Sequence, residues 1–359
     1  MSRNYKYTIL IRFSSSDNDA LGTFQAEYPF SNNSALKDDF SIKGKSIKIT
    51  AFRSKKTEIS DVLHNANNAM NRQLSKALAY YYCRIGEANL ISSIKITRHL
   101  SGNLQDEVNI TKNDVRQIVA SSSNLELLTS IELNELNNIL HESDSGHALL
   151  FAITHLIRSC ASTEPFERFE ALWRSFNSLY KLKESESRDS VCLMNLRTHM
   201  LAKANEYPLS CALTNPMTHE QIFSKINWRH MILNDYATAS KTVALSGFIG
   251  RISDHRLILK IEASLPIRQG FLSAQGLLGE VEAHIQDKKS LNIKSDIEVV
   301  AFICLKYLYY ARNKLVHAER VHPSFHIIKS RSNEEIKIGW CCDVLLRLVL
   351  DLFNCNSRF

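Results

Sequence analysis

The chain lacks any run approaching the roughly 20 apolar residues needed to cross a bilayer. Its first stretch, MSRNYKYTILIRF, has too short an apolar segment for a secretion signal,. The expectation is a soluble, cytoplasmic protein with no membrane partner. Also missing is any C-x-x-C pair among the eight cysteines, Cys83, Cys160, Cys192, Cys211, Cys304, Cys341, Cys342 and Cys355. That argues against a zinc ribbon and a disulfide framework, and for free, buried thiols in a reducing compartment. There is no Walker loop, no G-x-G-x-x-G after a strand and no G-x-S-x-G elbow, which removes support for kinase, ATPase and α/β-hydrolase chemistry. Internal repeats and low-complexity tracts are absent too.

What is present begins with a mild positive charge. Lys and Arg number 44 against 37 Asp and Glu, a net +7 over 359 residues. That balance is compatible with a polyanionic partner without requiring one. The short basic clusters Arg53-Lys55-Lys56 and Lys288-Lys289 read as solvated surface charge. The length suits two domains.

Tyr7, Ile9, Ile11 and Phe13 alternate with more polar neighbours, and so do Ile47, Ile49 and Ala51; both patterns predict strands,. Residues 14–45, rich in Ser, Asn and Asp, read as loops with one irregular strand. From Ile59 to Tyr81 apolar residues recur at three- and four-residue steps, predicting one helix of about six turns. Ile91 to Thr97 reads as a further strand, closing a small α+β domain over about 1–110.

After Thr111 nearly everything reads as helix. Thr111 and Asp114 have the spacing of a helix start. Leu125 to His141 is leucine-rich, Ala148 to Arg158 is short and apolar, and Pro165 opens PFERFEALWRSFNSLYKL,. Ser295 and Glu298 have capping-box spacing before a stripe of Ile297, Val300, Ala301, Cys304, Leu308, Ala311 and Leu315. Pro323 stops that helix, and a last, mostly apolar helix covers about Ile338 to Phe353. The expected fold class is therefore mainly α, a C-terminal helical domain over 111–359 preceded by the small α+β domain.

The stripe's helix ends in Arg312-Asn313-Lys314-Leu315-Val316-His317. A guanidinium grips phosphate in a two-pronged geometry, and an imidazole moves protons near neutral pH. At about 100° per residue, Asn313 and His317 share one exposed face, while Arg312 stands about 140° from His317. A second copy of the helix crossing that face would pool two arginines and two histidines in one cleft. Arg and His near a helix end also have a plainer use, favouring the negative end of the helix dipole. His317, His322 and His326 lack an acidic or cysteine partner at a recognised spacing, so no metal site is expected.

The run YYARNKLVHAE resembles the R-x4-H motif of HEPN domains, α-helical modules of RNA-targeting defence and toxin systems. The segment Leu172 to Tyr180, LWRSFNSLY, is similar to the W-x-x-F-N-x-L-Y helix of the Apea-like HEPN group, with Trp173, Asn177 and Tyr180 on one helical face,. The resemblance covers about 125–182 and 295–357, which makes 183–294 an insertion into a HEPN-like bundle. It implies a metal-independent endoribonuclease in a homodimer or higher oligomer, working in bacterial antiviral or abortive-infection defence. No cofactor is implied. His317 would serve as general acid or base, Arg312 would stabilise phosphorane charge, and Asn313 would position the phosphate or orient His317. Trp173, Asn177 and Tyr180 are candidates for lining the cleft, although aromatic residues at such spacing are more often core. Indiscriminate cleavage would harm the host, so a regulatory protein or a phage-derived trigger is expected. The alternative is a non-catalytic HEPN-like module that binds RNA, nucleotide or a protein partner.

Overall fold

The computed structural model describes residues 5–30, 35–182, 188–316 and 330–355. They fall into two compact units, one reaching Leu182 and one running from Arg188 to Cys355.

The first unit is built on a six-stranded antiparallel sheet. Its strands are β1 (Tyr5–Phe13), β2 (Ala20–Glu27), β3 (Lys37–Lys43), β4 (Ser46–Arg53), β5 (Ile91–Leu100) and β6 (Asn103–Thr111), in the order β2-β3-β4-β1-β5-β6. Alternation explains the central strands: Tyr7, Ile9, Ile11 and Phe13 of β1 and Ile47, Ile49 and Ala51 of β4 point to one buried face,. The helix Ala69–Ile85 covers that face, with Phe13 and Tyr81 stacked at 3.9 Å and the Tyr81 hydroxyl donating to the Gly44 carbonyl at 2.7 Å.

This sheet corrects the expected fold class. With about 60% helix and 16% strand among the described residues, the fold is α+β, not mainly α with a small appended domain. Two features hid the missing strands. β3 buries Asp38 where an apolar residue would complete its pattern, and Arg53 of β4 neutralises it through a two-pronged ion pair at 2.7 and 2.8 Å. β6, Asn-Leu-Gln-Asp-Glu-Val-Asn-Ile-Thr, is mostly exposed and so carries no buried face to read. Ser101 and Gly102, at φ 47° and 89°, make the two-residue turn that joins β5 to β6, because positive φ at both turn positions matches the twist of paired strands.

Other local expectations change for equally local reasons. The single helix from Ile59 is two, Ile59–His64 and Ala69–Ile85. The break is Asn-rich: the Asn65 side chain accepts from the Asn67 amide at 2.9 Å, and Asn68 caps the second helix by accepting from Met70 at 2.8 Å,. Thr111 and Asp114 form a turn, with Thr111 Oγ1 donating to Asp114 Oδ2 at 2.7 Å, and no helix follows. Leu125 to His141 holds only short turns of helix.

The helices Asp144–Ala161 and Pro165–Leu182 pack as an antiparallel pair, and Ser175 and Ser178 donate to the Ala152 and Ala148 carbonyls, both at 2.8 Å. Glu142 ties this pair to the sheet's helix. It meets the fully buried Lys76 at 2.7 Å, His147 at 3.0 Å and Arg72 at 3.6 Å. Burial opposes the Glu142 charge, but Lys76, His147 and Arg72 outweigh it and hold the carboxyl below its usual range,. The first unit therefore runs well past residue 110, and the described residues of the two expected bundle pieces, 125–182 and 295–357, fall in different units.

The second unit is helical in its described residues. The helices Pro208–Thr214, Asp296–Ala301 and Asn333–Asn354 pack through its interior, beside an aromatic cluster of Phe223, Trp228, Phe248 and Phe302. Ser295 and Glu298 do not form the expected capping box. The Ser295 amide donates to Asp254 Oδ2 at 2.7 Å, while Glu298 accepts from the Ser253 and Asp254 amides at 3.0 and 2.6 Å. The capping box of this unit's last helix is at Ser332 and Glu335, one turn before the apolar run at Ile338. All eight cysteines are free thiols, six of them buried.

Candidate functional site

The candidate arginine rides on a helix with an uneven bore. Asp296–Ala301 is α-helical, Phe302–Tyr307 is π-helical and Leu308–Val316 returns to α. A π segment inserts an extra residue per turn and rotates everything beyond it relative to an ideal wheel. Burial follows the distortion: every residue from Ile297 to Leu305 is buried, so the expected single stripe is buried all round at this end. Tyr307, Leu308 and Tyr310 close the apolar section, with the Tyr307 hydroxyl accepting from the Asn227 amide at 3.0 Å.

Beyond Tyr310 the helix emerges. Ala311, Arg312, Asn313 and Lys314 are each half-buried. Arg312 Nη1 donates to Asn313 Oδ1 at 3.2 Å, so two of the three motif side chains meet directly. Adjacent helical residues point about 100° apart; the length of the arginine side chain closes that gap. The plainer reading has its own support, since Lys314 lies in the last turn of Leu308–Val316, where a cation answers the helix dipole,. His317 lies outside the described residues, as do Pro323, His322 and His326.

The other candidates sit on Pro165–Leu182 in the first unit. Trp173 and Tyr180 are buried and stack edge-on against Phe176 at 5.4 and 4.9 Å, so they are packed in the core of that unit. Asn177 is half-buried and lines an open groove of about 350 Å³ with Phe151, Arg174 and Lys181. Its Oδ1 is shielded from solvent and accepts no hydrogen bond among the described residues. Phe151 stands half-exposed against His155, their rings 4.4 Å apart, and burial together with Arg174 lowers the His155 pKa. The motif drew attention to the aromatic face of this helix. Arg174, Asn177, Ser178 and Lys181, at i, i+3, i+4 and i+7, were the signal for the groove beside it.

Among the described residues, no cluster of three or more His, Cys, Asp or Glu side chains has the arrangement of a metal site. Burial raises the thiols of Cys83, Cys304 and Cys341, which makes them poor nucleophiles,. No described helix is long and apolar enough to cross a membrane. Comparison with protein-family models, with curated proteins and with solved structures returns no significant match.

Proposed function

We propose that this chain is a metal-independent RNA endonuclease whose chemistry is carried by Arg312, Asn313 and His317. The observation supporting the reading is the half-buried Arg312–Asn313 contact on the helix Leu308–Val316, with Arg312 five positions before His317 in the R-x4-H arrangement. A guanidinium held against a neighbouring amide keeps donors free for a phosphate oxygen, because it has five N–H groups and spends one.

In the proposed reaction the ribose 2′-hydroxyl attacks the adjacent phosphorus and displaces the 5′-oxygen of the next nucleotide. The products are a 2′,3′-cyclic phosphate and a 5′-hydroxyl. His317 takes or delivers the proton, which suits an imidazole near neutral pH. Arg312 meets the negative charge that gathers on the phosphorane oxygens. Two copies of the motif across a homodimer cleft would supply separate histidines as base and acid. The biological setting that fits such an activity is bacterial defence or abortive infection, with cleavage held in check until a trigger arrives.

The test is incubation of the purified protein with mixed RNA and a chelator, beside Arg312→Ala and His317→Ala. Cleavage by the wild type alone supports the assignment, and cleavage surviving both substitutions overturns it. RNA binding without cleavage by the wild type would favour a non-catalytic binding module. Sedimentation velocity checks the dimer.

A further inference from the structure

The helix that carries Arg312 also forms one wall of a pocket of about 450 Å³ within the second unit. That volume lies in the range that accepts small organic ligands. The floor is apolar and includes Leu193, Phe248, Phe302 and Leu305. Phe302 and Leu305 belong to the π-helical segment, a distortion that often accompanies functional sites,.

The charges around this floor do not cancel. Glu298 faces the pocket, but Arg197 answers it at 3.2 Å and the Ser253 and Asp254 amides complete its shell. Lys306 is answered by Asp235 at 2.6 Å and stands 4.9 Å from the Tyr236 ring centre. Burial works against the Lys306 charge, yet Tyr236 and Asp235 prevail and raise its pKa. Arg251 is left over. It lines the pocket, is exposed, and its guanidinium has no hydrogen-bond or ion-pair partner among the described residues.

An apolar cavity with one unanswered guanidinium at its rim selects for a matching shape of charge. A neutral apolar molecule leaves the arginine without a partner. A polyanion brings more negative charge than one arginine offsets and sets it against an apolar floor, where desolvation is costly. We propose that this pocket binds a small amphipathic monoanion, an apolar body seated on Phe302 and Leu305 with a carboxylate head that pairs two-pronged with Arg251. Arginine is the residue suited to that planar, two-point contact.

The experiment is titration calorimetry of the full chain with hexanoate, octanoate and decanoate, and with octanol, each below its micelle concentration. Octanoate is expected to bind at least tenfold more tightly than octanol, with about a tenfold gain for each added pair of methylenes. Arg251→Gln should remove the difference between octanoate and octanol while octanol still binds. Val191→Trp, which places bulk in the pocket lining from a half-exposed position, should abolish both, with the far-UV spectrum unchanged. Equal affinity of octanoate and octanol for the wild type overturns the proposal. So does a head-group preference that survives Arg251→Gln, or no binding of any probe at millimolar concentration.

Discussion

Arg256 and Arg312 lie in the same unit and are held in opposite ways. Arg256 is 7% exposed and bonds to both Asp254 oxygens, to Asp296 at 2.9 Å, and to the Thr214 and Met217 carbonyls. Burial lowers its pKa, but Asp254 and Asp296 more than restore it. Arg312 is half-buried, and among the described residues its guanidinium meets the amide oxygen of its own neighbour, Asn313. A charge enclosed by that many acceptors is fixed in place and unavailable to a ligand. A charge with one neutral contact costs little to keep and has donors to spare. Under the proposed function, the difference would separate an architectural arginine from a catalytic one, and it gives the two different expected signatures under substitution.

The sharpest break would come at Asp254. Asp254→Ala takes from the buried Arg256 its two-pronged partner, leaving Asp296 as its remaining carboxylate, and removes the cap of the helix His255–Ser264, so a loss of about 3–5 kcal/mol in urea unfolding is expected, with RNA cleavage per folded molecule unchanged,. Arg312→Ala should do the reverse. Cleavage should fall about 10²- to 10³-fold, while the unfolding free energy should stay within about 0.5 kcal/mol of wild type. An Arg312→Ala variant that loses stability instead would place Arg312 with Arg256 as an architectural residue.

Asp351 sharpens the architectural side. Its carboxylate accepts from the Leu209 and Ser210 amides and from Ser210 Oγ at 3.1, 2.9 and 2.7 Å, and burial raises its pKa to about 6. Asp351→Asn turns an amide group toward those donors and should cost about 1–3 kcal/mol. A carboxyl raised on folding binds its proton more tightly in the native state. Stability therefore rises as pH falls through 6, by about 1 kcal/mol from pH 7 to pH 5 for this group. Unfolding at the two pH values should show that increment in wild type relative to Asp351→Asn. The smallest effect is expected at Asn313. Asn313→Ala should lower cleavage about fivefold, the equivalent of one ordinary hydrogen bond, with no measurable change in unfolding.

How far these features could be read from sequence depended on whether their pattern was local. β1 and β4 alternate cleanly over successive residues, and Pro165 to Leu182 announces its helix from first residue to last. β3 does not, because Asp38 is buried only when Arg53, fifteen residues away, comes beside it. Glu298 looked like a capping residue for its own helix, whereas its partners come from Ser253 and Asp254 on another segment. The π segment has no composition of its own, so a regular wheel carried the stripe through it unbroken. At the candidate site, the neighbouring position of Arg312 and Asn313 was legible, but not that their side chains join. The pocket at Arg251 left no motif, since Leu193, Arg251 and Leu305 converge only in the folded unit.

The most direct measurement is the end chemistry of RNA cut by the purified wild-type protein in the presence of a chelator. Arg312 acting on a 2′-hydroxyl attack predicts 2′,3′-cyclic phosphate and 5′-hydroxyl ends from the wild type, and neither from Arg312→Ala. Ends bearing 5′-phosphate, cleavage that appears only on adding magnesium, or the same cyclic products from Arg312→Ala would contradict it.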